Sequence, residues 1–352
     1  MRTLKTPVDI FLYSRPERAA NYKKGRIFAG FEVSILEDVN GESIGGNDVW
    51  FKDGNGDYLW SGDFEASESL SLPSASLPWW ITEYGINKLW DLELKGEGVK
   101  IAVLDSGVQL DHPDLHISSE NTADFSQSQQ AGVDDHEGHG THLAGIINGK
   151  HNENEVFGMA PQSELFLAKV TSNEWGDDPK LLANAVDWAV SKNVDILSIS
   201  KGFEKHDDRL FESIQAAVQK SIIVVCAAGN FETDRNRILF PAGFDHVLAI
   251  GASTRTKAVQ ANSSVASRID LLAPGENIYS TFKESSYKRM SGTSQATPFV
   301  ASSLALLIQA CRKKNIDYSL LFFKTLLQNT ATPAVTSDRH LIINPIKAYE
   351  NL

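Results

Sequence analysis

The chain has 352 residues, 42% hydrophobic and 22% charged, the composition of a folded globular protein long enough for one large domain and a smaller one. A formal net charge of −12 argues against reading a phosphate backbone, which takes a concentrated basic surface, so no nucleic-acid partner is expected. The first residues lack the apolar core of a secretory signal, and no uninterrupted apolar span reaches membrane-crossing length, so no membrane partner is expected either.

Residues 1–65 read as a small β-barrel. Val8-Asp9-Ile10-Phe11-Leu12-Tyr13 and Phe31-Glu32-Val33-Ser34-Ile35-Leu36 are strand-like pieces separated by turns. Val49-Trp50-Phe51-Lys52, the turn Asp53-Gly54-Asn55-Gly56-Asp57 and Tyr58-Leu59-Trp60 carry a hairpin signature. This segment resembles bacterial SH3-like modules, a resemblance that implies a regulatory protein or peptide as partner. Trp50, Tyr58 and Trp60 either line a peptide groove or form the core of a domain this small. Residues 66–79, rich in Ser and Pro, read as a linker, and residues 80–352 as the larger domain.

From Gly98 onward apolar strands alternate with amphipathic helices. The strands are expected at Val99–Leu104, Leu165–Val170, Asp195–Ser200, Ile222–Ala227, Val247–Gly251 and Ile269–Leu272. The helices are expected at Thr141–Ile147, Pro179–Lys192, Asp208–Lys220, Ser294–Lys313 and Tyr318–Gln328. Such alternation implies an α/β fold, a doubly wound, mostly parallel sheet with helices on both faces, preceded here by the small all-β unit. Cys226 and Cys311 each sit in an apolar run and read as reduced core thiols, which points to a cytoplasmic protein.

Three segments carry chemistry. Asp105 ends a strand in Val103-Leu104-Asp105-Ser106-Gly107, His139 opens a helix in Gly138-His139-Gly140-Thr141-His142, and Ser294 opens another in Gly292-Thr293-Ser294-Gln295-Ala296-Thr297-Pro298. Each segment has a duller use: Asp105 as a turn former, Ser294 as a helix cap, and one of His139 and His142 as a satisfied core histidine. A serine hydroxyl attacks only with a base and an orienting carboxylate beside it, and these three segments supply all three groups. His136-Glu137-Gly138-His139 is one residue short of the spacing that puts two imidazoles on one helical face, which disfavours a metalloenzyme.

With Asp, His and Ser in that order and with those flanks, the chain resembles the subtilisin-like serine peptidases from roughly Trp80 to its C-terminus. The resemblance implies a serine endopeptidase acting on proteins or peptides, with Asp105, His139 and Ser294 catalytic and Asn230 the oxyanion-hole donor. It further implies a substrate cleft of Ser200, Lys201, Gly202, Ala227, Ala228 and Gly229. No cofactor is needed for catalysis on this resemblance, which also implies a structural calcium held by Asp114, Lys150, Asn152, Asn154 and Val156, an oxygen set such an ion takes. Lys201 stands where the family often has an apolar residue, and Leu239 is bulky for a pocket floor. The alternative is a triad-bearing regulatory or binding protein, held inactive and acting through its N-terminal module.

Overall fold

The structure is a computed structural model that describes residues 2–5, 10–15, 17, 23–27, 32–44, 47–60, 77–127, 132–151, 156–171 and 178–352. By its internal contacts the chain divides into two units, Met1–Ser76 and Leu77–Leu352. Of the expected linker, residues 66–76 lie outside the described residues, and at Trp79 a helix has already begun.

In the first unit six strands form an antiparallel sheet: β1 (Arg2–Lys5), β2 (Ile10–Tyr13), β3 (Lys23–Ile27), β4 (Glu32–Ile44), β5 (Asn47–Asp53) and β6 (Tyr58–Trp60), in the order β1-β4-β5-β6-β2-β3. The β5–β6 hairpin closes at the expected turn, where the buried Asp53 carboxylate accepts the backbone N–H groups of Asn55 and Asp57 at 2.9 and 2.8 Å. An Asx-type cap of this kind satisfies turn amides that no strand can reach. Trp50 is wholly buried, its Nε1 donating to the Glu42 carbonyl at 3.0 Å and its ring meeting Tyr13 edge-on. It therefore belongs to the core of this unit rather than to a groove.

The second unit begins with α1 (Trp79–Thr82) and α2 (Ile86–Asp91), then builds one nine-stranded sheet. Its strands are β7 (Lys100–Asp105), β8 (Thr122–Asp124), β9 (Glu164–Lys169), β10 (Ile196–Ile199), β11 (Ile223–Ala227), β12 (Leu248–Ser253), β13 (Leu271–Pro274), β16 (Thr332–Ala334) and β17 (Ser337–Ile342), with the hairpin β14 (Ile278–Phe282) and β15 (Ser286–Met290) standing apart. The order is β16-β17-β13-β12-β11-β10-β7-β9-β8, parallel throughout except for β16 against β17. Helices α3 (His139–Asn148), α4 (Pro179–Ser191), α5 (Asp208–Gln219), α6 (Thr293–Lys314), α7 (Leu320–Thr330) and α8 (Pro345–Glu350) complete it.

Alternation along the strands explains the two layers. On β7, Ile101 and Val103 point to the layer built on α3 and α6, while Ala102 and Leu104 point to the layer built on α4 and α5. A strand buried on both faces reads as a nearly continuous apolar run, and β7, β10, β11 and β12 do, with Ser198 and Ser253 the small polar exceptions inside and Lys100 and Asp105 at the ends of β7. Helix starts are fixed by local chemistry: Asp178 caps α4 ahead of Pro179, and Asp207 caps α5 by accepting from the Leu210 N–H. Because β7, β10 and β11 run parallel, the loops at their carboxyl ends open on one side, the side where doubly wound sheets hold ligands.

Cys226 and Cys311 are free and buried, and burial pushes the Cys226 thiol well up, as expected of inert core thiols. Among the described residues no helix is long and apolar enough to cross a membrane.

Candidate active site

Asp105 is the last residue of β7 and is almost wholly buried; His139 is the first residue of α3. They meet at 2.6 Å, His139 Nδ1 to Asp105 Oδ1. A carboxylate only accepts, so Nδ1 carries the proton and Nε2 is left as a free acceptor, the form a general base needs. The approach is possible because α3 starts hard against the β7 loop. A Cβ on Gly140 would lie 2.1 Å from the Gly107 carbonyl oxygen, so only glycine lets the helix come this near.

Burial alone would pull the His139 pKa down, but the Asp105 carboxylate and its hydrogen bond, helped by Asp135 and Glu137, outweigh it and raise the pKa above 6.5. For Asp105 burial works upward, and the paired imidazole with the Ser106 N–H and Lys201 brings the result below the ordinary carboxylate value. His142, one turn along α3, is of another kind. Burial, with His139 next, lowers its pKa to about 3, and its Nε2 reaches the carbonyls of Ile278 and Lys288 at 3.1 and 3.0 Å. It is the neutral structural histidine, tying α3 to the β14–β15 hairpin.

Ser294 is the second residue of α6, two places further in than the N-cap; the cap position is Gly292, which has no side chain to offer. The capping use of Ser294 is thus overturned. Among the described residues its Oγ donates to the Ser200 carbonyl at 3.4 Å and makes no hydrogen bond to His139. In return, Ser200 Oγ donates to the Ser294 carbonyl at 3.0 Å.

Asn230, three residues beyond β11, accepts the Thr293 N–H through Oδ1 at 3.0 Å. That donor fixes Oδ1 as the amide atom turned to Thr293, which leaves the Nδ2 amino group to donate elsewhere. A Cβ on Gly292 would come within 2.9 Å of Nδ2 and cover it. Thr293 adds a second tie by accepting the Gly229 N–H on Oγ1 at 3.2 Å. Ala227 and Ala228 are buried, Gly229 packs on Leu239, and the Ala228 carbonyl is taken by the Leu239 N–H at 3.0 Å. Cβ atoms on Gly202 and Gly229 would lie 2.7 and 2.8 Å from Leu239 side-chain atoms, so Leu239 fills the space between the loops that follow β10 and β11.

The cation set is less complete. Asn152 and Asn154 lie outside the described residues. Asp114 is fully buried, with Oδ2 accepting from the Tyr287 hydroxyl at 2.6 Å, and Val156 is buried. The Lys150 N–H donates to the Asp114 carbonyl and its ammonium to the Pro113 carbonyl at 2.7 Å. Among the described residues no three His, Cys, Asp or Glu side chains group to hold a metal. The described part of the set therefore offers one carboxylate, already hydrogen-bonded, and does not make a cage by itself.

Sequence reasoning passed over Ser106, Asp135, Thr293 and Pro298. Their roles depend on partners brought from distant segments, so no local pattern announces them.

A carboxylate-held imidazole at the start of one helix and a serine in the first turn of another are groups that a serine hydrolase uses. The subtilase family profile matches residues 96–342. The major intracellular serine protease of Bacillus subtilis is 36% identical over 227 residues, 62% of this chain and 71% of that protein. The intracellular serine protease of Paenibacillus polymyxa is 37% identical over 63% of this chain and 69% of its own length. Among solved structures, the prenylagaramide maturation protease PagA aligns with a TM-score of 0.64 at 28% identity, covering 76% of this chain and 97% of that one. The chain belongs to the subtilase family, and it is a subtilisin-like serine endopeptidase.

Proposed function

We propose that Ser294 is the nucleophile, His139 its general base, Asp105 the orienting carboxylate and Asn230 the oxyanion donor of a cytoplasmic endopeptidase. The observation that carries this is the 2.6 Å bond between Asp105 and His139, which leaves Nε2 of a half-buried imidazole as a free acceptor. Nε2 takes the Ser294 proton as Oγ leaves its long bond to Ser200, and Oγ adds to the peptide carbonyl. The Asn230 amide donates to the oxygen as it gains charge, the imidazolium passes its proton to the departing amine, and water repeats the sequence to free the acyl group. No metal or organic cofactor enters these steps. Ser294→Ala is expected to lose both peptide hydrolysis and labelling by a fluorophosphonate probe; retention of either removes Ser294 as the nucleophile.

The substrate lies along Ser200-Lys201-Gly202 as an added strand, facing Ala227-Ala228-Gly229. Leu239 between the two loops favours a small side chain before the cleaved bond, and Lys201, whose charge reaches Asp105, favours an acidic residue nearby. Lys201→Leu leaving a peptide-library profile unchanged removes the second preference.

The first unit acts as an SH3-like module, residues 1–65, that takes a regulatory protein or peptide and is joined to the peptidase domain, 80–352, by the 66–79 linker. Its six-stranded antiparallel sheet supports that assignment. Casein cleavage at equal rates by the whole chain and by one beginning at Ser76 speaks against restraint by this unit. A calcium at Asp114, Lys150, Asn152, Asn154 and Val156 rests on loop spacing, and an unchanged melting temperature in excess EDTA removes it.

A further inference from the structure

Between β8 and α3 the loop carries three acidic residues and a histidine, Asp134, Asp135, His136 and Glu137, that the chemistry above does not consume. Asp135 differs from its neighbours in being buried. Its Oδ1 accepts from Ser106 Oγ at 2.8 Å, from the Glu137 N–H at 3.1 Å and from the Gly138 N–H at 2.7 Å. Its Oδ2 accepts from the Thr141 N–H at 2.8 Å and from Thr141 Oγ1 at 2.7 Å. Ser106 Oγ in turn accepts the Gly140 N–H at 2.9 Å.

These partners bracket the reacting pair. Ser106 follows Asp105; Gly138 and Gly140 flank His139, and Thr141 lies in the first turn of α3. The N–H groups of that first turn have no intrahelical acceptor, and two of them are served here, one by the Asp135 carboxylate and one by Ser106. A single carboxylate is thus bonded both to the segment that carries Asp105 and to the segment that carries His139.

We propose that Asp135 is a positioning residue that sets the Asp105–His139 contact by holding both segments at once; the inference rests on Asp105, His139 and Ser294 being the catalytic set. Asp135 also lends its charge to the imidazole, which gives the role a readout separate from folding. The other charged or titratable groups around His139 are Asp105 on β7, Glu137 on the loop and His142 on α3, with Lys201 acting on Asp105. Lys169 at the end of β9 and Lys283 after β14 donate to the Asp134 and His136 carbonyls at 2.9 and 2.7 Å and flank the same loop. Glu137 is held away by Thr171, whose Oγ1 donates to it at 2.9 Å.

The test is the pH dependence of kcat/KM for the whole chain carrying Asp135→Asn, compared with Thr141→Val. An amide at position 135 turns an amino group toward donors and removes the charge. Plateau kcat is expected to fall about tenfold or more with KM within about twofold, as for a small misplacement of a reacting group, and the acid limb is expected to move to lower pH. Thr141→Val removes one hydroxyl, which donates to Asp135 and accepts the Gln109 N–H, and no charge, so kcat falls while the acid limb stays. An Asp135→Asn enzyme with wild-type plateau kcat, or with reduced kcat and an unmoved acid limb, overturns the proposal. If that variant does not fold, Thr141→Val decides, and wild-type kcat there overturns it. Ser294→Ala run alongside separates the two failures: activity in that variant refutes the catalytic set itself, whatever Asp135 does.

Discussion

Pro298 releases the carbonyl of Ser294 from helix α6. The residue four places after a carbonyl normally donates to it, and proline has no N–H to give. Ser200 makes good the loss, its hydroxyl donating to that carbonyl at 3.0 Å while its own carbonyl accepts from Ser294 Oγ. The proline thus lets a helix residue be tied to the loop after β10, across the cleft. Ser200→Ala is expected to cost about 1 kcal/mol of stability, the net worth of one such bond, and to lower kcat more than it raises KM. Thermal melting and steady-state kinetics check this; no change in either shows that the tie has no role.

The acid limb of kcat/KM is expected above pH 6.5, the ordinary histidine value, because His139 is held above it. The sign follows from the protonated imidazole being unable to accept the Ser294 proton: activity is lost as pH falls through the raised pKa. Asp105→Asn removes the charge and sets an amide that can donate against the imidazole, favouring the wrong tautomer, so the limb moves down and kcat drops about 10⁴-fold, as when such a carboxylate is lost from a triad. A pH–rate profile of the wild type with its acid midpoint below 6.5 contradicts the assignment.

Asn230→Ala removes the amide donor and also the acceptor for the Thr293 N–H. The expected loss is about 10²- to 10³-fold in kcat, a range first measured for an oxyanion donor in a subtilisin, with KM little changed. Asn230→Asp keeps an acceptor for Thr293 but cannot donate, so it separates the two uses. Activity near wild type in the Asp variant points to the Thr293 tie, not oxyanion donation, as what the Ala variant lost.

The sheet and its covering helices were legible because strands buried on both faces leave continuous apolar runs. Helix α4, read as Pro179–Lys192, runs Pro179–Ser191, and strand β11, read as Ile222–Ala227, begins at Ile223. The β14–β15 hairpin was not legible. Its turn is made by Glu284 and Ser285 at positive φ of 59° and 52°, where glycine or asparagine is the usual signal. Asp105, His139 and Ser294 stood out because each has a recognisable local flank. Asp135 did not, because its bonds join Ser106 to Thr141 and no single stretch of sequence contains both.

Leu239 makes the sharpest forecast about substrate. Its side chain occupies the gap between Gly202 and Gly229, within 2.7 and 2.8 Å of where a Cβ would stand on each. A pocket filled this way from its floor accepts a small side chain and turns away a ring. Leu239→Ala is expected to raise kcat/KM for a peptide with Phe before the cleaved bond, relative to the same peptide with Ala there, by about tenfold or more, the scale of a few methylenes in a pocket. Gly202 is best left alone, since any side chain there meets Leu239 directly. Paired chromogenic peptides differing only at that position measure the ratio. A ratio unmoved by Leu239→Ala places the substrate side chain somewhere other than this gap, and with it the strand-pairing register along Ser200-Lys201-Gly202.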